Sequence, residues 1–191
     1  MKNNSTFENF IKPVLVLVII CFVVTFALAM TYGVTKPIID KNNLKASNEA
    51  KAELLPDAKG EFENYDGKLT VVEPNKIYVT EASKAKNGAG AVVTVDSNSY
   101  GGILTAMVGI DKDGAVTNVK IMSAADTPGV GTKAQDPNHL KQYNGLNKLG
   151  NENVKADSSV KYVTGASISS QAIHEAVWCA LQQYNDMGGA N

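Results

Sequence analysis

The chain has 191 residues, of which 44% are hydrophobic and 19% charged, and its formal net charge is −1. This composition excludes a disordered tail, and the balanced charge removes any electrostatic argument for nucleic acid as a partner. All 18 basic residues are lysine, so a phosphate would be held by backbone N–H groups, hydroxyls and lysine charges rather than by a guanidinium fork. The length suits a membrane anchor followed by one domain of roughly 150 residues.

Residues 14–34 form an almost unbroken apolar run with no charged side chain. At 1.5 Å per residue, a helix of this length covers about 30 Å, the thickness of a bilayer's hydrocarbon core. The alternative is a cleaved signal peptide, because Lys2 and Lys12 precede the run and Ala27-Leu28-Ala29 resembles a cleavage site. The run is longer than the apolar region of a typical signal peptide, which favours an uncleaved transmembrane helix at residues 14–35.

A helical stalk is predicted to follow the apolar run. Pro37 ends or kinks the first helix, and residues 40–55 then contain many good helix formers before Pro56. We assign residues 36–58 to this stalk and residues 59–191 to a folded domain. Lysines lie on both sides of the apolar run, so charge does not decide its orientation.

From Gly60 onward the pattern favours β-structure. Short apolar runs with period-two alternation are separated by turn residues, and Asp111-Lys112-Asp113-Gly114 is a strong hairpin signal. We predict a meander of antiparallel strands at residues 69–72, 77–80, 91–95, 103–110 and 115–122. The intervening residues 73–76, 82–90 and 96–102 are predicted to be turns and loops.

Residues 126–133 read Asp-Thr-Pro-Gly-Val-Gly-Thr-Lys, a loop after the last predicted strand. Pro128 fixes one backbone dihedral, whereas Gly129 and Gly131 allow a flat ligand to approach the backbone closely. The pattern therefore suits a ring-binding loop. Taken alone, it is equally typical of an ordinary tight turn.

Two helices are predicted near the end of the chain. A short polar helix begins at Asp136 and ends by Gly145 or Gly150, with His139 on its surface. A longer helix starts near Ser169 or Ser170 and runs to about Met187. Its apolar stripe recurs at spacings of three and four and is expected to pack on the sheet; the stripe consists of Ala172, Ile173, Ala176, Val177, Ala180, Leu181 and Tyr184. His174 and Glu175 lie off this stripe and are predicted to be solvated.

A cluster of hydroxyl side chains precedes the long helix, in the segment Tyr162-Val163-Thr164-Gly165-Ala166-Ser167-Ile168-Ser169-Ser170. The first N–H groups of a helix lack internal acceptors, and the helix dipole adds positive charge there, so an anion such as phosphate is stabilised. Ser167 is placed to face such an anion. The alternative is that these serines only cap the helix.

The sequence offers little for acid–base or nucleophilic catalysis. It has two histidines in different segments and two cysteines in unrelated settings, and it lacks the HExxH, GxSxG, phosphate-loop and dinucleotide signatures. We therefore predict no catalytic residues and no metal site. Such a chain suits a bound cofactor that carries the chemistry itself.

The segment Thr164-Gly165-Ala166-Ser167-Ile168-Ser169 resembles the flavinylation motif of FMN-binding domains. Three further runs resemble successive signatures of the same family in the same order: Tyr100-Gly101-Gly102-Ile103, residues 107–114 and residues 126–131. This family includes the G subunit of Rnf electron-transport complexes and the C subunit of the sodium-pumping NADH:quinone reductase. The chain departs from many relatives, which have a histidine before an E-T-P-G-L-G run where this chain has Ala124, Asp126 and Val130.

The resemblance implies an α+β fold, in which a single N-terminal transmembrane helix precedes an FMN-binding domain with an antiparallel sheet and packed helices. It implies FMN joined through its phosphate to the Ser167 hydroxyl by a flavin transferase, where most relatives use threonine. The other cofactor-binding residues that it implies are Thr164, Gly165, Ala166, Ser169, Ser170, Thr127, Pro128, Gly129, Val130, Gly131 and Lys133. It also implies a cytoplasmic segment at residues 1–13, an extracytoplasmic domain, and membrane partners in a complex that moves Na⁺ or H⁺.

The expected function is thus an electron relay within an Rnf-type ferredoxin:NAD oxidoreductase complex of the cell membrane. Two alternatives remain open at this stage. One is a membrane-tethered ectodomain without cofactor that acts in assembly or interaction. The other is a stand-alone extracytoplasmic flavin reductase.

Overall fold

The computed structural model describes residues 7–189. Lys2 and the ends of the predicted segments 1–13 and 59–191 lie outside the described residues. The chain divides into two compact units between Ala46 and Ser47.

The first unit contains a turn of π-helix at Phe7–Ile11 and most of helix α1 (Lys12–Leu54). Among residues 7–189, α1 is the one helix whose length and apolar composition would let it cross a membrane, and its most apolar stretch is fully exposed. One reading of the sequence predicted that the helix ends at Pro37, but α1 continues through this residue to Leu54. Proline removes one N–H donor, and a long helix tolerates this where its neighbouring hydrogen bonds persist.

The second unit is built on a six-stranded antiparallel sheet. The strands are β1 (Phe62–Asn64), β2 (Val71–Glu73), β3 (Ile77–Ala85), β4 (Gly90–Ser99), β5 (Gly102–Asp111) and β6 (Val116–Ser123). Their order is β1-β3-β4-β5-β6, and β2 also pairs with β3. Together with its helices, this sheet confirms the predicted α+β class.

Strands β3 and β4 are longer than the sequence suggested. Ala82 and Ser83 fall in the predicted loop 82–90 but are buried and pair with Val93 and Val92. Similarly, Ser97 falls in the predicted turn 96–102 but pairs with Leu104. These predictions were wrong because cross-strand pairing and burial outweigh the weak strand propensity of small polar residues.

Helix α3 (Ser167–Asp186) packs on one face of the sheet, mainly against β3, β4 and β5. All seven residues of its predicted apolar stripe are buried, which confirms that prediction. The opposite face of the sheet is covered by residues 50–58, of which Ala50, Leu54 and Leu55 pack with Val92 and Met107. The second unit therefore has apolar cores on both faces of its sheet.

His174 is fully buried, so its predicted solvation was wrong. Helix α3 lies between the sheet and the connection that precedes the helix. That connection buries residues of the helix that do not face the sheet. The His174 Nε2 atom lies 2.7 Å from the carbonyl oxygen of Asn151 and its Nδ1 atom 3.4 Å from the hydroxyl of Tyr143. Because a carbonyl only accepts, Nε2 carries the proton and the Tyr143 hydroxyl donates to Nδ1.

The connection from β6 to α3 contains the short helix α2 (Pro137–Leu140), followed by a 3₁₀ turn at Lys141–Tyr143. The Asp136 side chain caps α2 by accepting from the Asn138 N–H at 2.8 Å. The helical segment thus begins where predicted and ends before Gly145. His139 is half-buried, and its ring lies 3.0 Å from the Gln142 amide.

Candidate functional site

A cavity of about 390 Å³ opens between the start of α3, the loop after β6 and the turn from β4 to β5. Its volume falls in the range of small-molecule and cofactor sites. The residues that line it are Tyr100, Thr127, Val130, Gly131, Gly165, Ala166, Ser167, Ile168 and Ser169. The two segments that the sequence singled out, 126–133 and 164–170, therefore meet at one cavity.

Seven of the residues predicted to bind the cofactor line this cavity, namely Thr127, Val130, Gly131, Gly165, Ala166, Ser167 and Ser169. The remaining five are not among its lining residues. Thr164, Pro128, Gly129 and Lys133 lie outside the lining, and Ser170 is buried.

Ser167 is the first residue of α3, a helix of 20 residues. The preceding residue, Ala166, provides no side-chain cap, and the first helical hydrogen bond runs from the Ser170 N–H to the Ala166 carbonyl at 2.9 Å. The N–H groups of the first turn and the positive end of the helix dipole thus remain available to an anion. Gly165, with φ of +86°, makes the turn that leads into the helix.

The three serines of the first turn have different roles. The Ser170 hydroxyl accepts a hydrogen bond from the Val163 N–H at 3.0 Å, and the Ser169 hydroxyl donates to the Asp126 carboxylate. Within the described part of the chain, the Ser167 hydroxyl makes no hydrogen bond and lines the cavity. Of the three serines, Ser167 is therefore the one whose hydroxyl has no hydrogen-bond partner among the described residues.

Asp126 is the polar centre beneath the cavity, and its side chain is buried. Its carboxylate accepts from the Ser99 hydroxyl at 2.8 Å, the Gly101 N–H at 2.9 Å and the Gln135 amide at 2.8 Å, in addition to Ser169. Burial raises the pKa of Asp126, but these four hydrogen bonds outweigh it, so the pKa lies below its usual value. Asp126 is therefore ionised at neutral pH.

Gly131 is needed for close packing of the loop against α3. A Cβ at this position would lie 2.7 Å from the Cβ of Asp126 and 2.8 Å from the Ser169 oxygen. The sequence predicted that the glycines of this loop would allow close approach of a ligand ring. For Gly131, the contact that requires glycine is with the protein itself.

Apolar side chains are exposed around the cavity. Tyr100 is 71% exposed, Val130 47% and Ile168 52%, and all three line the cavity wall. Large apolar groups are normally buried, and an exposed cluster of them marks an interaction site. Sequence reasoning did not assign Tyr100 or Ile168 to the site, although Tyr100 directly precedes the Gly101-Gly102 pair and Ile168 lies inside the hydroxyl-rich segment.

A second cavity, of about 400 Å³, is also lined by Ser167 and Ile168 and has a more polar lining. Lys76 and Lys155 contribute its positive charges, and Glu73 and Glu175 its negative charges. Burial raises the pKa of Glu175 despite hydrogen bonds from Gln171 and Ser97 that lower it. Ser167 thus lines both cavities. The first has no charged side chain in its lining and is called the apolar cavity below; the second has four and is called the polar cavity.

This arrangement fits a flat aromatic ring attached to a phosphate. The apolar cavity with Tyr100 offers surfaces for the ring, while the start of α3 offers N–H donors and a hydroxyl for the phosphate. Lys76 and Lys155 are the lysines that share a cavity with Ser167 in the described structure. No arginine is required, in keeping with the composition of the chain.

Comparisons with known proteins found one matching family and several similar sequences. Residues 99–182 match the family described as FMN-binding domain. The chain is 28% identical to the G subunit of the proton-translocating ferredoxin:NAD(+) oxidoreductase complex of Clostridium ljungdahlii, over 91% of this chain and 90% of that protein. It is 27% identical to the G subunit of the Na(+)-translocating ferredoxin:NAD(+) oxidoreductase complex of Acetobacterium woodii, over 91% of this chain and 90% of that protein.

A similar relative is the G subunit of the ion-translocating oxidoreductase complex of Methanosarcina acetivorans, which is 27% identical over 97% of this chain and the whole of that protein. Among solved structures, that of Shewanella oneidensis NqrC matches with a TM-score of 0.45 and 15% identity. That match covers 61% of this chain and 70% of the other. The chain thus resembles the G subunits of these complexes, and its residues 99–182 match the FMN-binding domain family.

Proposed function

We propose, on the premise that residues 99–182 form an FMN-binding domain, that this chain is a membrane-anchored electron-transfer subunit carrying FMN on Ser167 through a phosphoester. Its place would be an ion-translocating ferredoxin:NAD oxidoreductase complex, as in its relatives from Clostridium ljungdahlii and Acetobacterium woodii. The observation that carries the proposal is the position of the Ser167 hydroxyl. It lies at the first residue of a long helix, lines the apolar cavity and makes no hydrogen bond within the described residues.

Each wall of the cavity would hold a different part of the cofactor. Tyr100, Val130 and Ile168 would contact the ring, because these side chains are apolar and exposed at the cavity. The N–H groups of the first turn of α3 would bind the phosphate oxygens, and the helix dipole would stabilise their charge. Lys155 would add positive charge from the polar cavity, in which Lys76 is paired with Glu73.

When bound, FMN supplies reversible electron transfer, and the protein has only to bind, orient and shield it. This division of roles agrees with the poverty of acid–base groups at the site. The lining residues of the apolar cavity include hydroxyls, glycines and apolar side chains but, within the described residues, no His, Cys, Asp, Glu or Lys. We therefore assign no catalytic residue to this chain.

A covalent link has a physical rationale if the domain lies outside the cytoplasm, as we propose. A non-covalent site stays filled only in proportion to the free ligand concentration, and free FMN should be scarce there. A phosphoester at Ser167 removes that dependence. A flavin transferase would form it from an FMN phosphoanhydride: the Ser167 oxygen bonds to the FMN phosphorus, the anhydride bond breaks, the other phosphate-bearing half leaves, and the hydroxyl proton is lost to a base.

The attachment is tested by producing the full chain together with a flavin transferase and running it on a denaturing gel. We expect yellow flavin fluorescence that survives denaturation, and a mass increase of one FMN on the peptide that contains Ser167. Ser167→Ala should abolish both signals. Ser158→Ala, which removes an exposed hydroxyl elsewhere on the domain, is the matched control and should retain them.

Two results would refute the proposal. Flavin that persists in Ser167→Ala would place the attachment elsewhere. Absence of flavin from the unmutated chain in the presence of transferase would favour an interaction domain without cofactor. Co-purification then separates a relay from a stand-alone flavin reductase, since a relay should be recovered with other membrane subunits.

The orientation needs a separate experiment, for which the native cysteines are well placed. Cys179 is buried in the domain, and Cys21 lies in the apolar stretch of α1. A Ser158→Cys variant adds one accessible thiol to the domain. We expect a membrane-impermeant maleimide to label this variant in intact cells. Labelling only after cell lysis would place the domain in the cytoplasm.

A further inference from the structure

We infer that Asp126 is a positioning residue. It holds together the three segments that wall the apolar cavity, which are the turn from β4 to β5, the loop after β6 and the start of α3, and thereby sets the environment of the flavin ring. This inference rests on the proposed function. Asp126 does not line the cavity itself. It acts through the residues that do.

Each wall contributes a donor to the Asp126 carboxylate. Ser99 and Gly101 flank Tyr100 in the turn from β4 to β5, and both donate to it. Ser169 donates from the first turn of α3, where its oxygen and the Asp126 side chain both adjoin Gly131. Gln135 donates from just beyond a 3₁₀ turn at Gly131–Lys133, which ends the loop. One side chain thus connects the aromatic wall, the loop wall and the wall that carries Ser167.

Only an ionised carboxylate satisfies this set of donors. Its two oxygens accept together from two hydroxyls, one backbone N–H and one amide, whereas an asparagine would place an NH₂ group against some of these donors. The site has little access to water, because Asp126 is only 6% exposed. Hydrogen bonds to a buried charge are stronger than neutral ones, so the amide would loosen all three walls.

A second buried aspartate provides a control for general effects on stability. Asp157 is 5% exposed and accepts from the backbone N–H groups of Gly150 and Ser159 at 2.8 and 2.7 Å. It lines neither the apolar nor the polar cavity. Asp157→Asn should therefore destabilise the domain as Asp126→Asn does, but without changing the flavin environment.

The test compares the full-length chain, Asp126→Asn and Asp157→Asn, each produced with the flavin transferase. The readouts are the visible circular dichroism and fluorescence anisotropy of the attached flavin and its reduction potential, beside the unfolding midpoint. We expect Asp126→Asn to lose most of the flavin circular dichroism, to lower the anisotropy and to shift the potential. Asp157→Asn should lower the unfolding midpoint and leave the three flavin readouts as in the unmutated chain.

The pH profile supplies a further readout that a purely structural role would not move. Protonation of Asp126 at low pH should reduce the flavin circular dichroism of the folded chain, and this step should be absent from Asp126→Asn. If Asp126→Asn fails to fold, Ser169→Ala takes its place. It removes one donor, keeps the carboxylate, and should weaken the same signals in part.

The outcomes separate the two proposals. If the unmutated chain carries no flavin, the proposed function fails and this inference fails with it. If it carries flavin and both Asp126→Asn and Ser169→Ala match it in dichroism, anisotropy and potential, the positioning role is wrong while the proposed function stands. An equal loss of flavin signals in Asp157→Asn would also overturn the inference.

Discussion

Gly131 and Ser169 lie so close together that a Cβ on the glycine would be 2.8 Å from the serine oxygen. This separation is shorter than an ordinary van der Waals contact between carbon and oxygen, so the loop after β6 can reach α3 in this way only if residue 131 is glycine. The contact closes one side of the cavity that Ser167 lines. It also makes the loop sensitive to a single methyl group.

Gly131→Ala is expected to push the loop away from α3, because the new Cβ would also stand 2.7 Å from the Cβ of Asp126. Overpacking of this kind costs about 1–3 kcal/mol of unfolding free energy. We expect less flavin per mole of protein, measured as gel fluorescence relative to stained protein. Gly88→Ala is the control, since Gly88 has a φ of +73° and open space around it in the turn between β3 and β4. It should cost a comparable free energy, about 1–2 kcal/mol of backbone strain, and leave flavin loading unchanged.

Ser170→Ala should destabilise the domain. Ser167→Ala should leave its stability nearly unchanged and abolish flavin attachment. Ser170 accepts from the Val163 N–H at 3.0 Å, so its loss leaves a backbone donor without a partner and should cost about 1–2 kcal/mol. The Ser167 hydroxyl has no such partner within the described residues, and its loss should cost less than about 0.5 kcal/mol. Urea unfolding of the flavin-free chains measures both. Equal losses would indicate that Ser167 serves only the helix end.

Ser167→Thr should retain covalent flavin. Threonine keeps the hydroxyl and is the usual acceptor in the family that the segment resembles. Ser167 is only half-buried and lines two cavities, which leaves room for the added methyl group. The mass of the corresponding peptide gives the fraction modified. A variant that folds but carries no FMN would show that the cavity wall selects serine at this position.

His174→Ala is expected to destabilise the domain by about 2–4 kcal/mol, because it opens a cavity in the core and removes the donor to Asn151. The same change at the exposed residue Gln182 should stay within about 0.5 kcal/mol. Denaturant unfolding at neutral pH measures the difference. Similar values for both variants would contradict the buried position of His174.

Acid should destabilise the domain through Asp157. Burial raises the pKa of this carboxyl, but hydrogen bonds from Ser159, Asn151 and Gly150 outweigh it and hold the pKa below the ordinary value. A carboxyl whose folded pKa is depressed stabilises the fold above its unfolded pKa of about 3.9, and that stabilisation disappears as the pH falls through the folded pKa. We expect unfolding free energy to fall below about pH 4. Asp157→Asn should be less stable at pH 7 and show a smaller acid-dependent loss.

Much of the local structure follows from the sequence because the interactions that determine it are local. Asp111-Lys112-Asp113-Gly114 makes the predicted hairpin turn between β5 and β6, with the Asp111 carboxylate accepting from the N–H groups of Asp113 and Ala115. The apolar stripe of α3 likewise repeats along one helix. For the same reason, the start of α3 could be predicted to within two or three residues.

The length of β3 and β4 could not be read from the sequence in the same way. Ser83 and Ser97 have weak strand propensity, and they lie in strands because partners on neighbouring strands bury them. Pro37 is the converse case, in which a strong local signal for a helix end does not end the helix.

The sequence by itself determined that an apolar helix precedes a domain of strands and helices, because composition and short-range spacing decide those features. That segments 126–133 and 164–170 suit a flavin is what their resemblance to FMN-binding domains implies. Only the tertiary structure decided that these segments meet beside Tyr100, that Asp126 ties them together, and that Ser167 rather than Ser169 or Ser170 has a free hydroxyl among the described residues. Those outcomes depend on hydrogen bonds between residues as far apart as Ser99, Asp126 and Ser169, whose partners no local pattern identifies.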